Sequence, residues 1–120
     1  MPLQKILELL NPNNPIGNVY TEEELEKVIE KTKKVGAIVV IDEAYHYFYD
    51  KTFLNYVKRN DNVIILRTFS KLFSIAACRL GVIISTPEII NYVRNAKLTF
   101  DVNAVALLFG EKLLEHPDII

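Results

Sequence analysis

Lys71 closes the run Arg67-Thr68-Phe69-Ser70-Lys71, and its primary amine is the side chain here best suited to attack a carbonyl. A lysine becomes nucleophilic when apolar neighbours or a second cation hold its amine uncharged. Leu72 and Phe73 follow directly, and Arg79 comes later in Cys78-Arg79-Leu80-Gly81. Alone, Lys71 reads as a solvated loop lysine; its weight comes from what surrounds it. Asp42 ends an apolar run in Ile41-Asp42-Glu43-Ala44-Tyr45, and Asn14 sits inside Asn11-Pro12-Asn13-Asn14-Pro15-Ile16-Gly17.

Each of these groups asks for a particular partner. An unpaired carboxylate at the end of a buried strand is costly, and a protonated pyridine nitrogen would satisfy Asp42. That ion pair would keep the ring cationic and able to accept electrons from a substrate carbanion. Tyr45 and Asn14 can both donate to a ring oxygen. Two hydroxyls, Thr68 and Ser70, and the planar, permanently charged fork of Arg79 suit a phosphate. An aldehyde for Lys71, a pyridine nitrogen, a phenolic oxygen and a phosphate occur together in pyridoxal 5′-phosphate, so the ordered set points to that cofactor, held through a Schiff base to Lys71.

Singly, each residue has a plainer reading: Asp42 as a turn cap, Asn14 as a turn former, Thr68 and Ser70 as turn hydroxyls, Arg79 as a surface arginine. Glu43 has no part in the scheme and is expected to face outward or to form a structural salt bridge. His46 reads as structural, on the expectation that a continuing strand would point it away from Tyr45. Cys78 reads as a packed small residue. The two histidines and one cysteine lie far apart in sequence, so no metal-ligand cluster is expected.

The elements that must position these groups follow from local pattern. The Asn11–Gly17 cluster, with its prolines, asparagines and glycine, blocks regular structure and is a turn. Ile6 to Leu10 before it reads either as the last turn of a helix or as the tail of a strand. Thr21-Glu22-Glu23-Glu24 is a capping box, and Leu25, Val28 and Ile29 continue it with helical periodicity to a stop at Gly36. Ala37 to Ile41 and Val63 to Leu66 are continuous β-branched runs, as in strands buried on both faces of a parallel sheet, and Val82 to Ile84 repeats the signal briefly. Phe53 to Val57 suits a short helix. Thr86-Pro87-Glu88 opens a helix running toward Lys97, with a cap and a proline at its first position. Asn103 to Glu115 reads as a last helix, ended by His116-Pro117. The alternation predicts an α/β fold, a mostly parallel sheet with flanking helices. Ligands of such sheets gather at the carboxyl ends of the strands, where Asp42 and the segment Thr68 to Lys71 both fall.

Composition sets the broad class. Of 120 residues, 50% are hydrophobic and 24% charged, which suits a packed core and argues against disorder. A net charge of -1 gives no reason to expect nucleic acid or an anionic membrane as partner. No apolar run approaches the roughly 20 residues of a membrane span, and the start does not read as a signal peptide. One cysteine excludes an internal disulfide framework and fits a reducing compartment, so a cytoplasmic location is expected. Repeats, linkers and low-complexity stretches do not occur. A nucleotide hydrolase would need a Gly-x-x-x-x-Gly-Lys-Ser/Thr loop, and the sequence has none.

The wording of the motifs closely resembles the class I/II aminotransferases, fold type I pyridoxal-phosphate enzymes, in their histidinol-phosphate aminotransferase branch. The resemblance rests on Asn11-Pro12-Asn13-Asn14-Pro15-Ile16-Gly17, Asp42-Glu43-Ala44-Tyr45, Arg67-Thr68-Phe69-Ser70-Lys71 and Arg79-Leu80-Gly81, and runs from Asn11 to Pro117. Phe100-Asp101-Val102-Asn103-Ala104 is similar to the branch's approach to a long helix. The resemblance implies that Lys71 is the catalytic residue and carries the cofactor. It implies that Asp42 meets the pyridine nitrogen, Tyr45 and Asn14 the phenolic oxygen, and Thr68, Ser70 and Arg79 the phosphate. It also implies amino-group transfer between an amino acid or amino-alcohol phosphate and a 2-oxo acid, with a homodimer as the intact assembly. A phosphorylated-amino-acid decarboxylase shares these motifs, and a truncated non-catalytic domain is the reading from another class. The chain departs from the family in carrying Ala76-Ala77-Cys78 where glycine often precedes the phosphate arginine, and in a first stretch, Met1 to Leu10, that matches the expected strand poorly. It is also much shorter, so residues 1–120 are expected to form a single partial domain, the central part of the family's large domain without the small one.

Overall fold

Two parallel β-branched strands form the middle of the sheet. A computed structural model describes residues 5–98 and 101–116. β1 (Ile6–Leu10) leads into the asparagine-proline turn, α1 (Glu22–Lys34) returns the chain, and β2 (Ile38–Asp42) pairs parallel with β1. A 3₁₀ turn (His46–Phe48) and α2 (Leu54–Arg59) connect β2 to β3 (Val63–Thr68), again parallel. A second 3₁₀ turn (Ala76–Cys78) precedes β4 (Gly81–Ile84), which runs antiparallel to β3. α3 (Pro87–Ala96) and α4 (Ala104–Glu115) follow. The sheet order is β1-β2-β3-β4, the mostly parallel α/β arrangement expected.

The boundaries have local causes. At the start of α1, Thr21 Oγ1 accepts from the Glu24 N–H while the Glu24 carboxylate accepts from the Thr21 N–H, completing the capping box. Gly36, at φ +66, takes the left-handed conformation past the end of α1 that a glycine adopts without steric cost. Asn103 caps α4 by accepting from the Ala106 N–H at 2.8 Å. Thr86 stands at the N-cap of α3 without a side-chain capping bond, so that helix start rests on Pro87 and backbone geometry alone. Pro117 and Phe100, read as a helix stop and a helix approach, lie outside the described residues.

Three expectations are resolved or corrected. Ile6–Leu10, left open between helix and strand, is a strand, in register from Ile6↔Ile38 to Leu10↔Asp42. β2 is not buried on both faces: Val39 and Ile41 are fully buried, whereas Ile38, Val40 and Asp42 are half-buried. The reason is topological, because α1 and α2 pack on one face. Leu25 and Ile29, with Phe53 and Tyr56, form the core there against Val39, Ile41, Val63 and Ile65. The other face meets α3 across a cleft of about 610 Å³ lined by Ile6, Ile38, Ile64, Ile89, Tyr92 and Val93. β4 is likewise no buried strand: it lies at the sheet edge with Val82 and Ile83 exposed.

α4 docks through its small residues. Ala106 is fully buried, and a side chain at Gly110 would run into Leu80 and approach Phe69. Val105, Leu107, Leu108 and Phe109 on the same helix stay exposed. The tight approach supports Phe69, two residues before Lys71. Gly110→Val is expected to lower the unfolding free energy by about 1–3 kcal/mol through overpacking. Gly110→Ala should cost less, since one methyl can be met by rotation of Leu80 and alanine gains about 1 kcal/mol of helix propensity. Urea unfolding of the two variants measures the difference, and equal stabilities would contradict this packing.

Candidate active site at the carboxyl ends of the strands

The parallel register Asp42↔Leu66 brings the ends of β2 and β3 to one edge, with Thr68 two residues further along. Side chains alternate along a strand, so Asp42, Leu66 and Thr68 occupy the face opposite the helix-packed core. Asp42 Oδ1 accepts from the Ala44 N–H at 2.9 Å, which is the turn-cap role open to it. A carboxylate accepts at both oxygens, so the cap leaves room for a second partner.

The asparagine-proline turn is anchored beside this edge. The Asn11 N–H donates to the Asp42 carbonyl at 2.9 Å, and buried Asn11 Oδ1 accepts from the Tyr20 N–H at 2.8 Å. The turn closes through the Gly17 N–H to the Asn13 carbonyl, with Gly17 at φ +78. It presents Asn14, whose Nδ2 donates to the Tyr45 hydroxyl at 2.7 Å across 31 residues of sequence. Lys71 Nζ lies 5.3 Å from the centroid of the Tyr45 ring, within cation–π range. Asn14, Tyr45 and Lys71, three separate motifs of the sequence, therefore meet at one point. The apolar enclosure expected around Lys71 is not found, since the residue is exposed and its neighbour is an aromatic face.

Thr68 and Ser70 also come together: the Ser70 N–H donates to Thr68 Oγ1 at 3.1 Å, and Thr68 Oγ1 reaches the Leu80 carbonyl at 3.4 Å. Arg79 stands apart. It is exposed, follows the Ala76–Cys78 turn, and takes φ +53, a left-handed conformation that costs a non-glycine residue roughly 1–2 kcal/mol. Among the described residues no hydrogen bond ties its guanidinium to Thr68 or Ser70. The donor set fits pyridoxal phosphate at the lysine and phenolic-oxygen positions, and on the phosphate side the Ser70 N–H is joined to Thr68 Oγ1 without the arginine.

Two residues carry more structure than their sequence reading gave them. Glu43 is buried, 2% exposed, and is the structural ion pair rather than the outward residue. Its carboxylate accepts from Arg67 Nε at 3.0 Å, from the Phe53 N–H at 2.6 Å and from Thr52 Oγ1, and Arg67 Nη2 lies 2.9 Å from Oε2 as its ion-pair partner. Arg67 had no assigned role. The detectable signal was parity: Glu43 continues the core face of Val39 and Ile41, as Arg67 continues that of Val63 and Ile65. His46 lies in a 3₁₀ turn and not on a continuing strand. Its Nδ1 lies 4.0 Å from Glu43 Oε2. Cys78 is half-buried with a free thiol. Among the described residues no group of three His, Cys, Asp or Glu side chains could hold a metal, and no helix is long and apolar enough to cross a membrane.

The chain matches a known family over nearly all of its length. The model of "Aminotransferase class I and II" covers residues 2–119, and the chain belongs to that family. It is 43% identical over 109 residues to a histidinol-phosphate aminotransferase of Thermotoga neapolitana, across 91% of this chain and 31% of the relative. The chain thus spans about a third of the length of the curated relatives it matches. A histidinol-phosphate aminotransferase of Sinorhizobium meliloti, solved in complex with pyridoxal-5′-phosphate, superposes with a TM-score of 0.70 at 26% identity, over 84% of this chain and 28% of that one. An L-threonine-O-3-phosphate decarboxylase of Porphyromonas gingivalis superposes with a TM-score of 0.82 at 24% identity, over 94% and 35%, a likeness of fold.

His46 supplies a pH test of the buried cluster. Burial first, and the Arg67 cation second, hold its pKa below the ordinary 6.5, against an opposing pull from Glu43. The folded state therefore prefers neutral imidazole. Stability is complete above the unfolded value and falls as pH drops below 6.5 through the lower folded value, because the unfolded chain takes up the proton first. Urea midpoints measured from pH 7.5 downward should decline less in His46→Gln than in the parent.

Proposed function

We propose that this chain carries the lysine-bearing half of a pyridoxal-phosphate site, in a protein that moves an amino group between an amino acid or amino-alcohol phosphate and a 2-oxo acid, as a histidinol-phosphate aminotransferase does. The observation that carries the reading is the meeting of Asn14 Nδ2, the Tyr45 hydroxyl and Lys71 Nζ at the carboxyl ends of β2 and β3. The cofactor, when bound, supplies the aldehyde and the electron-accepting ring. Lys71 would hold it covalently and, once freed by a substrate amine, would take the substrate α-proton at Nζ and pass it to the cofactor's former aldehyde carbon. Asp42 meets the pyridine nitrogen with the carboxylate oxygen not committed to its turn. Tyr45 and Asn14 orient the phenolic oxygen, and their mutual hydrogen bond fixes the direction in which each can donate. Thr68 and Ser70 hold the phosphate, with Arg79 brought in as its counter-ion.

The same reading makes residues 1–120 the central part of the family's large domain, in a cytoplasmic protein that works as a homodimer. Identities of 43% and 41% with histidinol-phosphate aminotransferases favour transfer over decarboxylation.

Mixing the chain with pyridoxal phosphate should give a yellow absorbance band, and borohydride reduction followed by peptide mapping should place the adduct on Lys71. Lys71→Ala should lose the band. Tyr45→Phe should keep the adduct with affinity weakened by about 1 kcal/mol, roughly fivefold. Labelling spread evenly over the chain's lysines would sink the assignment.

A further inference from the structure

Glu43 and Arg67 sit on the face of the sheet opposite Asp42 and Thr68, so neither touches the proposed site. Yet Glu43 is the one charged side chain that is buried among the described residues. Its carboxylate accepts from Arg67 Nε, Thr52 Oγ1 and the Phe53 N–H, with Arg67 Nη2 in ion-pair contact at 2.9 Å. Arg67 Nη2 also donates to Thr52 Oγ1 at 2.7 Å, closing a three-membered ring of side chains.

The location of this ring is what gives it consequence. The last backbone bond between β2 and β3 is the Glu43 N–H to the Leu66 carbonyl, at 2.9 Å. Beyond it the two chains part, one turning through Tyr45 into the 3₁₀ turn and the other continuing through Thr68 to Lys71. Among the described residues no backbone bond joins Ala44–Phe48 to Phe69–Lys71. Past the end of the ladder the segments are tied by the side-chain ring, one residue after Asp42 and one before Thr68, and further out by the edge-on contact of Tyr47 with Phe73 at 5.4 Å. Charge-assisted bonds of fixed fork geometry do not tolerate sliding or rotation without rupture.

We infer that the Glu43–Arg67–Thr52 ring is a positioning device for the cofactor site, setting the height and orientation of Tyr45 against Lys71 from the far side of the sheet. The inference rests on the cofactor reading above for its functional meaning and on geometry alone for its mechanical one. Both residues are positioning residues, since they act through Tyr45 and Lys71.

The test uses two variants of the whole chain: Glu43→Gln, and the paired change Glu43→Leu with Arg67→Met. The paired change replaces a buried ion pair by apolar groups, which commonly preserves folding. Two readouts are taken on samples whose circular dichroism matches the parent. The first, without cofactor, is the nuclear Overhauser contact between the Lys71 side chain and the Tyr45 ring. The second is the rate of borohydride-trapped pyridoxal-phosphate labelling at Lys71 relative to the chain's other lysines. The expected result is loss of the Lys71–Tyr45 contact and a drop of about tenfold in the relative Lys71 rate. Folded variants that keep the contact and label Lys71 at the parental rate would overturn the inference. Loss of the contact in the variants, together with a parent that never labels Lys71 selectively, would uphold the positioning device and overturn the cofactor reading instead.

Discussion

The parallel pairing of β2 with β3 is the constraint on which the remaining geometry depends. Running the two strands in one direction brings both carboxyl ends to the same edge, and the register Asp42↔Leu66 decides which side chains arrive there together. A slip of β2 by one residue would turn Asp42 into the helix-packed core and expel Glu43 from it, and a slip of β3 would do the same to Thr68 and Arg67. The register is held because Val39, Ile41, Val63 and Ile65 fill one face against Leu25 and Ile29. Core packing and site chemistry are thus two faces of a single alternation.

Around that pair, the site is assembled from segments with little structure of their own. The asparagine-proline turn is fastened by Asn11 to the Asp42 carbonyl and so carries Asn14 to Tyr45. On the β3 side, Phe69 is buried, α4 approaches closely at Gly110, and Ser70 is tied to Thr68. The exposed apolar residues of α4 and the half-covered second sheet face fit a chain that spans about a third of its relatives' length.

Much of the architecture was legible because it is written in short-range code. The capping box, the glycine stop after α1 and the β-branched runs each declare an element within a few residues. What misled was inferring burial from hydrophobicity: Val82 and Ile83 are apolar enough for a core strand but lie at an edge, and Val40 is half-buried. A run of apolar residues states what could be covered, whereas covering it requires another element. Lys71 was likewise expected in apolar surroundings from its neighbours Leu72 and Phe73, yet chain neighbours at a turn point in different directions.

By itself the sequence determined the kinds of chemistry available and their order: a lysine, a strand-end aspartate, a phenol, an amide and phosphate-suited hydroxyls, on α/β elements whose ends face one edge. It could not decide which of these groups would touch. That Asn14 meets Tyr45 across 31 residues, that Lys71 lies over the same ring, and that Arg79 takes a left-handed conformation are outcomes of register and turn geometry. The role of Glu43 and Arg67 belongs to the same class. Each is an ordinary charged residue in the linear chain, and only parallel pairing, which aligns residues far apart in sequence, makes them neighbours in a place dry enough for their bond to matter.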